Sequence, residues 1–80
     1  MEIQGRIGER IRELRSTLNL TQEALAFKSE VDRTFMNHVE NGKRNISIAT
    51  LEKIVCSGLE STLKEFFNHD SFNGKGRVKK

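Results

Sequence analysis

Residues 22–40 read QEALAFKSEVDRTFMNHVE, and this stretch decides the fold. Leu25 anchors a short helical segment, and Ala26 is small enough to let a neighbouring helix approach closely. Thr21, just upstream, is suited to cap that segment by accepting a bond from a free backbone N–H. After residues 29–31 comes Asp32, a second good N-cap, and Met36 and Val39 then face inward at a spacing of three. The pattern predicts two short helices joined by about three residues.

The surroundings are helical as well. Ile3, Ile7, Ile11, Leu14 and Leu18 recur at spacings of four, four, three and four, which lays one apolar stripe along a first helix. Arg6, Glu9, Arg10, Arg12 and Glu13 are expected on its other faces, and Asn19 and Leu20 end the pattern. Downstream, ENGKRN closes the helix begun at Asp32, with Gly42 suited to the left-handed terminating position. Ser47 is placed to cap a fourth helix carrying Leu51, Ile54 and Val55 and ending near Gly58. A fifth, from about Glu60, carries Leu63, Phe66 and Phe67. The chain has no proline and no sustained alternating run, so the expected class is all-α, with five helices in one domain over residues 1–69. Residues 70–80, DSFNGKGRVKK, have no periodicity and are expected to form a disordered basic tail.

Composition limits what such a domain does. Eighty residues bury only about 60% of the unfolded surface, so a lone monomer is modestly stable. One cysteine, Cys56, excludes an internal disulfide and a cysteine-type zinc site, and is expected to be a small buried residue. No apolar run approaches a membrane span, and the opening MEIQGRIGER lacks a signal peptide's apolar stretch. The expected location is the cytoplasm. Residues 74–80 hold four of the 14 basic residues and none of the 11 acidic ones, which leaves residues 1–73 at a net −1. The excess positive charge therefore belongs to the tail, and a case for nucleic acid must rest on where charges sit. No nucleophile–base pair, carboxylate pair, metal cluster or phosphate loop is present, so neither an enzyme nor a cofactor is expected.

With Leu25, Ala26, Val31, Met36 and Val39 where a helix-turn-helix keeps apolar or small residues, the chain resembles the lambda-repressor-like DNA-binding family. The joined elements TQEALAFKS, VDRTF and ENGKRNISIATLEKI are most similar to the controller proteins of type II restriction–modification systems, over roughly residues 5–67. The resemblance implies a homodimeric, sequence-specific transcriptional regulator of restriction–modification genes, both activator and autorepressor, bound to a palindromic operator in double-stranded DNA. It implies that the helix after Asp32 enters the major groove, with Arg33 and Thr34 at its tip and Asn37 and His38 one turn on. Side-chain chemistry suits these roles: arginine forks onto guanine, asparagine bonds to adenine, and threonine bonds or packs on a thymine methyl. Phe35 is read either as a further base contact or as a core residue, and His38 as a contact or a merely exposed side chain. Gln22, Lys43, Arg44 and Asn45 are expected at phosphates, with a base also in reach of Arg44 or Asn45.

The same resemblance implies an Arg15–Glu40 ion pair between the first helix and the end of the recognition helix. It also implies a dimer interface at Leu59, Leu63, Phe66 and Phe67, although a monomer core is the alternative for these residues. Activation would need a surface for RNA polymerase, for which Glu23 and then Glu30 are the candidates. Glu30 stands where the family often has glycine, and Ser29 where it often has an apolar residue; both bear on the placement of the recognition helix. The rival identities are a phage-type repressor, an antitoxin-like regulator, and a helical protein-interaction module without DNA binding. The tail is read as a solvated end, with an arm on DNA as the alternative.

Overall fold

The computed structural model describes residues 2–72, and among these every regular element is helical. Helix α1 spans Ile3–Thr17, α2 Gln22–Lys28, α3 Arg33–Glu40, α4 Ile48–Glu52 and α5 Leu63–Phe67. A π-helical turn, Lys53–Gly58, continues α4, and a 3-10 turn, Asp70–Phe72, follows α5. None of these helices is long and apolar enough to cross a membrane.

The start signals act through side-chain oxygens. Thr21 accepts from the N–H of Ala24 at 3.0 Å, Asp32 from Thr34 at 3.0 Å, and Ser47 from Thr50 at 3.0 Å. The fifth helix begins later than its sequence pattern suggests. Glu60 has φ +55°, a left-handed conformation that no helix passes through, and Thr62 is the cap, accepting from Glu65.

Three helix ends share one terminator. Asn19, Glu30 and Gly42 each hold a left-handed φ of 58–72° after α1, α2 and α3. The next residue's N–H then bonds back five positions: Leu20 to the Arg15 carbonyl, Val31 to Ala26, and Lys43 to His38. Only the third uses glycine, so Glu30 carries a strain of about 1 kcal/mol in the turn between α2 and α3.

The core gathers Ile11, Leu25, Ala26, Met36, Val39, Leu51, Ile54, Val55, Leu59 and Phe66, all buried. The α1 stripe is buried only at its centre, since Ile3 and Leu18 at its ends are 45% and 44% exposed. Helix α1 meets α3 at Gly8, where a Cβ would stand 2.5 Å from the Val39 carbonyl oxygen and 2.6 Å from that of Glu40. Ser29 is fully buried against Gly58, and its hydroxyl has no hydrogen-bond partner among the described residues. Cys56 is exposed, contrary to expectation. The buried stripe runs through Leu51, Ile54, Val55, Gly58 and Leu59, and Cys56 falls just off it.

Three further expectations differ from the structure. Arg10, assigned to an outward face, is buried. Its Nε donates to the Phe66 carbonyl at 2.7 Å and its Nη2 to the Glu65 carbonyl at 2.9 Å, tying α5 to α1. Leu59 and Phe66, expected at a dimer seam, are filled into the monomer's own core, so their side chains are not on offer to a partner. Leu63 is half-buried and Phe67 is 38% exposed, its ring edge-on to Phe66 and Phe72 at 5.0 and 4.9 Å. The described helical structure also runs past residue 69. Asp70–Phe72 form a turn that packs Phe72 on the core, while residues 73–80 of the expected tail lie outside the described residues.

Candidate nucleic-acid interface

Helix α3 has two unlike faces. Met36, Val39 and Glu40 are buried, whereas Arg33, Thr34, Asn37 and His38 are exposed. The Asp32 cap fixes where the helix starts, and so brings Arg33 and Thr34 into its first turn. Gln22 at the start of α2 joins them: an open cleft of about 250 Å³ is lined by Gln22, Arg33, Thr34 and Asn37. The four are therefore brought together, and His38 lies outside the cleft on the same helix.

The remaining candidates form a second group on the loop after α3. Lys43, Arg44 and Asn45 are exposed there. Arg44 and Asn45 border a smaller apolar depression of about 100 Å³ together with Ile3, Gln4, Ile7, Val39 and Ile46. The Arg44 guanidinium lies 4.9 Å from the centre of the Phe35 ring, a cation–π distance. Phe35 itself is half-buried against the core. It supports Arg44 from beneath and leaves less than a whole ring for DNA.

The first group is tied through Gln22 to the carboxylate of Glu40, which is 1% exposed. Arg15 grips it with both arms, Nε to Oε2 at 2.7 Å and Nη2 to Oε1 at 2.9 Å. The fork geometry and charge satisfy a buried carboxylate that would otherwise be costly. Gln22 Nε2 donates to Oε1 at 3.1 Å, so the side chain expected to face a phosphate is engaged with the scaffold. Its own Oε1 accepts from Asn37 Nδ2 at 3.2 Å. Arg12, expected only on an outer face of α1, and Asn41, which no sequence pattern singled out, close the network. Asn41 Nδ2 donates to Asn37 Oδ1 at 3.3 Å, and Arg12 Nη2 donates to the Glu40 carbonyl at 2.7 Å and to Asn41 Oδ1 at 3.4 Å. Gly8 is a further omission. A helix-interior glycine costs about 1 kcal/mol relative to alanine, and that cost was its available signal.

The polymerase candidates are not among the residues that line the cleft. Glu23 is exposed near the start of α2, and Glu30 is exposed in the following turn with Lys53 Nζ 3.9 Å from its carboxylate. Lys28, at the end of α2, hydrogen-bonds Glu60 at 2.8 Å and holds that carboxyl below the ordinary carboxylate range. Among the described residues, no group of three or more His, Cys, Asp or Glu side chains gathers as a metal site.

Comparison with known proteins gives a concordant result. Residues 11–56 match the helix-turn-helix family model. The control protein C.MunI of Mycoplasma sp is 43% identical over 68 residues, covering 84% of this chain and 90% of that protein. The controller protein C.AhdI from Aeromonas hydrophila superposes with a TM-score of 0.75 at 39% identity, covering 80% of this chain and 96% of that one. The controller protein C.Esp1396I, solved as a tetramer in complex with its natural 35 base-pair operator, gives 0.77 at 35% identity, covering 84% and 88%. This chain belongs to the helix-turn-helix family and, within it, to the controller proteins of restriction–modification systems.

Proposed function

We propose that the protein is a homodimeric transcriptional regulator that reads operator DNA with α3 and controls restriction–modification genes. The observation that carries this is the cleft at the exposed face of α3, where Gln22, Arg33, Thr34 and Asn37 converge while the opposite face is locked into the core. It is a regulator and not an enzyme, in keeping with its family. Arg33 and Thr34 read base edges from the first turn, with Asn37 and His38 behind them. Lys43, Arg44 and Asn45 hold the backbone, with Arg44 braced on Phe35. A twofold pair reads two half-sites about 34–36 Å apart, which a single short helix cannot do. Phe67 and Leu63 are the surface-accessible part of the dimer contact.

The test is Arg33→Ala, with binding to the upstream operator and to scrambled DNA followed by fluorescence anisotropy. Loss of about 1–3 kcal/mol of discrimination is expected, with affinity for scrambled DNA little changed. Unaltered operator preference would remove α3 as the reading element.

Activation is assigned to the outer face of α2. Glu23 is exposed there, and Phe27 one turn later is 84% exposed, an acidic and apolar pair suited to a polymerase subunit. Glu30, in the next turn, is the second candidate. Glu23→Lys is expected to abolish transcriptional activation in a reconstituted assay while leaving operator affinity intact. Parallel loss of both would show that Glu23 serves DNA binding instead.

A further inference from the structure

Amide nitrogens and oxygens are told apart by their partners, and here the partners leave one solution. A carboxylate only accepts, so Gln22 must turn its NH2 toward Glu40, at 3.1 Å. Its oxygen then faces Asn37, whose NH2 donates to it at 3.2 Å. The Asn37 oxygen in turn faces Asn41, whose NH2 donates at 3.3 Å. The Asn41 oxygen meets Arg12, a group that only donates, at 3.4 Å. The relay thus starts on an obligate acceptor and ends on an obligate donor. Reversing any amide within it would set two oxygens, or two NH2 groups, against each other. The anchoring end is buried and short, 2.7 Å at the Arg15–Glu40 bond, and the links lengthen toward the exposed end.

The relay leaves Asn37 with one N–H and one oxygen lone pair unspent, on an exposed side chain that lines the reading cleft. Adenine offers N7 as acceptor and N6–H as donor in the major groove, whereas guanine offers two acceptors. A free asparagine satisfies the adenine edge in either direction by rotating its amide. One with fixed polarity satisfies it in one direction only.

We propose that Gln22 is a positioning residue for base reading: it passes the polarity of the buried Glu40 carboxylate to the Asn37 amide, so that Asn37 selects adenine in one orientation of the A·T pair. The proposal rests on the reading in which Asn37 faces a base.

The experiment measures competition binding to operators carrying all four base pairs at each half-site position, for wild type, Gln22→Met, Asn37→Ala and the double variant. Methionine keeps the length of the stem and removes both hydrogen bonds. Asn37→Ala is expected to cost about tenfold in preference for adenine at one position. Gln22→Met is expected to flatten that same position by about fivefold and no other, with no further loss in the double variant. Asn41→Ala, which loosens the exposed end without touching Glu40, is expected to flatten it by about twofold. A uniform affinity loss in Gln22→Met would assign Gln22 to a phosphate and overturn the proposal, as would additive losses in the double variant. An unchanged profile in Asn37→Ala would overturn the underlying reading of Asn37 as a base contact, and the relay with it.

Discussion

Arg10 and Arg15 leave the same helix and tie down opposite parts of the molecule by different chemistry. Arg15 meets a carboxylate, Glu40, buried at the end of α3, the proposed reading helix. Arg10 pairs at 3.0 Å only with the exposed carboxylate of Glu13 on its own helix. Its reach across the fold is to the backbone carbonyls of Glu65 and Phe66 at the end of α5, beside the aromatic group of Phe66, Phe67 and Phe72. A carboxylate left without its partner is a buried charge. A helix-end carbonyl left without its donor is an unsatisfied acceptor, but a neutral one. The reading end is therefore orientation-critical, and the far end is mainly a packing problem.

Replacing each arginine by methionine tests that contrast and carries the largest expected effect. Arg15→Met is expected to cost about 3–5 kcal/mol, because it leaves Glu40 charged and buried with Gln22 and the more distant Arg12 as its side-chain partners. Arg10→Met is expected to cost about 1–3 kcal/mol, the range for unsatisfied neutral acceptors. Urea unfolding of both variants measures the difference. Equal costs would mean that the charge on Glu40 is not what distinguishes the two ends.

The asymmetry also explains what the sequence made legible. Thr21, Asp32 and Ser47 cap through contacts three residues away or fewer, so a local pattern finds them. The Arg15–Glu40 pair was reachable only through family resemblance, since its members lie 25 positions apart. Arg10 had no such guide. A charged residue on an amphipathic helix is ordinarily solvated, and its acceptors lie 55 and 56 positions downstream. Leu59 and Phe66 stayed open between core and dimer seam for a related reason. Periodicity says that an apolar residue is buried, but not whether the monomer or a second copy does the burying. Cys56 was different, because the spacing of Leu51, Ile54, Val55 and Gly58 already placed it off the stripe.

Phe67 sharpens the far-end side of the comparison at intermediate magnitude. It keeps 38% of its surface exposed while its neighbour Phe66 has none. Phe67→Ser is expected to raise the dimer dissociation constant about tenfold or more, the scale of an aromatic anchor at an interface. Sedimentation velocity across a concentration series reads this directly. Operator binding should weaken with the loss of dimer and recover at high protein concentration, because α3 is untouched. Unchanged sedimentation would take Phe67 out of the interface and leave the far end as core alone.

The smallest effect expected is at Glu30, where the turn between α2 and α3 holds a left-handed φ of +59° without glycine. Gly42 occupies the equivalent position after α3 at +72°. The same bond pattern closes both turns, so the backbone at residue 30 already has the shape that glycine favours. Glu30→Gly relieves about 1 kcal/mol of left-handed strain, offset in part by the greater freedom of glycine in the unfolded chain. It also removes the long Glu30–Lys53 contact, which is solvent-exposed and weak. The net expectation is a gain of a few tenths to about 1 kcal/mol in urea unfolding, with the base profile of operator binding unchanged. A shift in that profile would mean that Glu30 helps set where α3 lies in the groove, and the reading end would then be positioned from its turn as well as from Glu40.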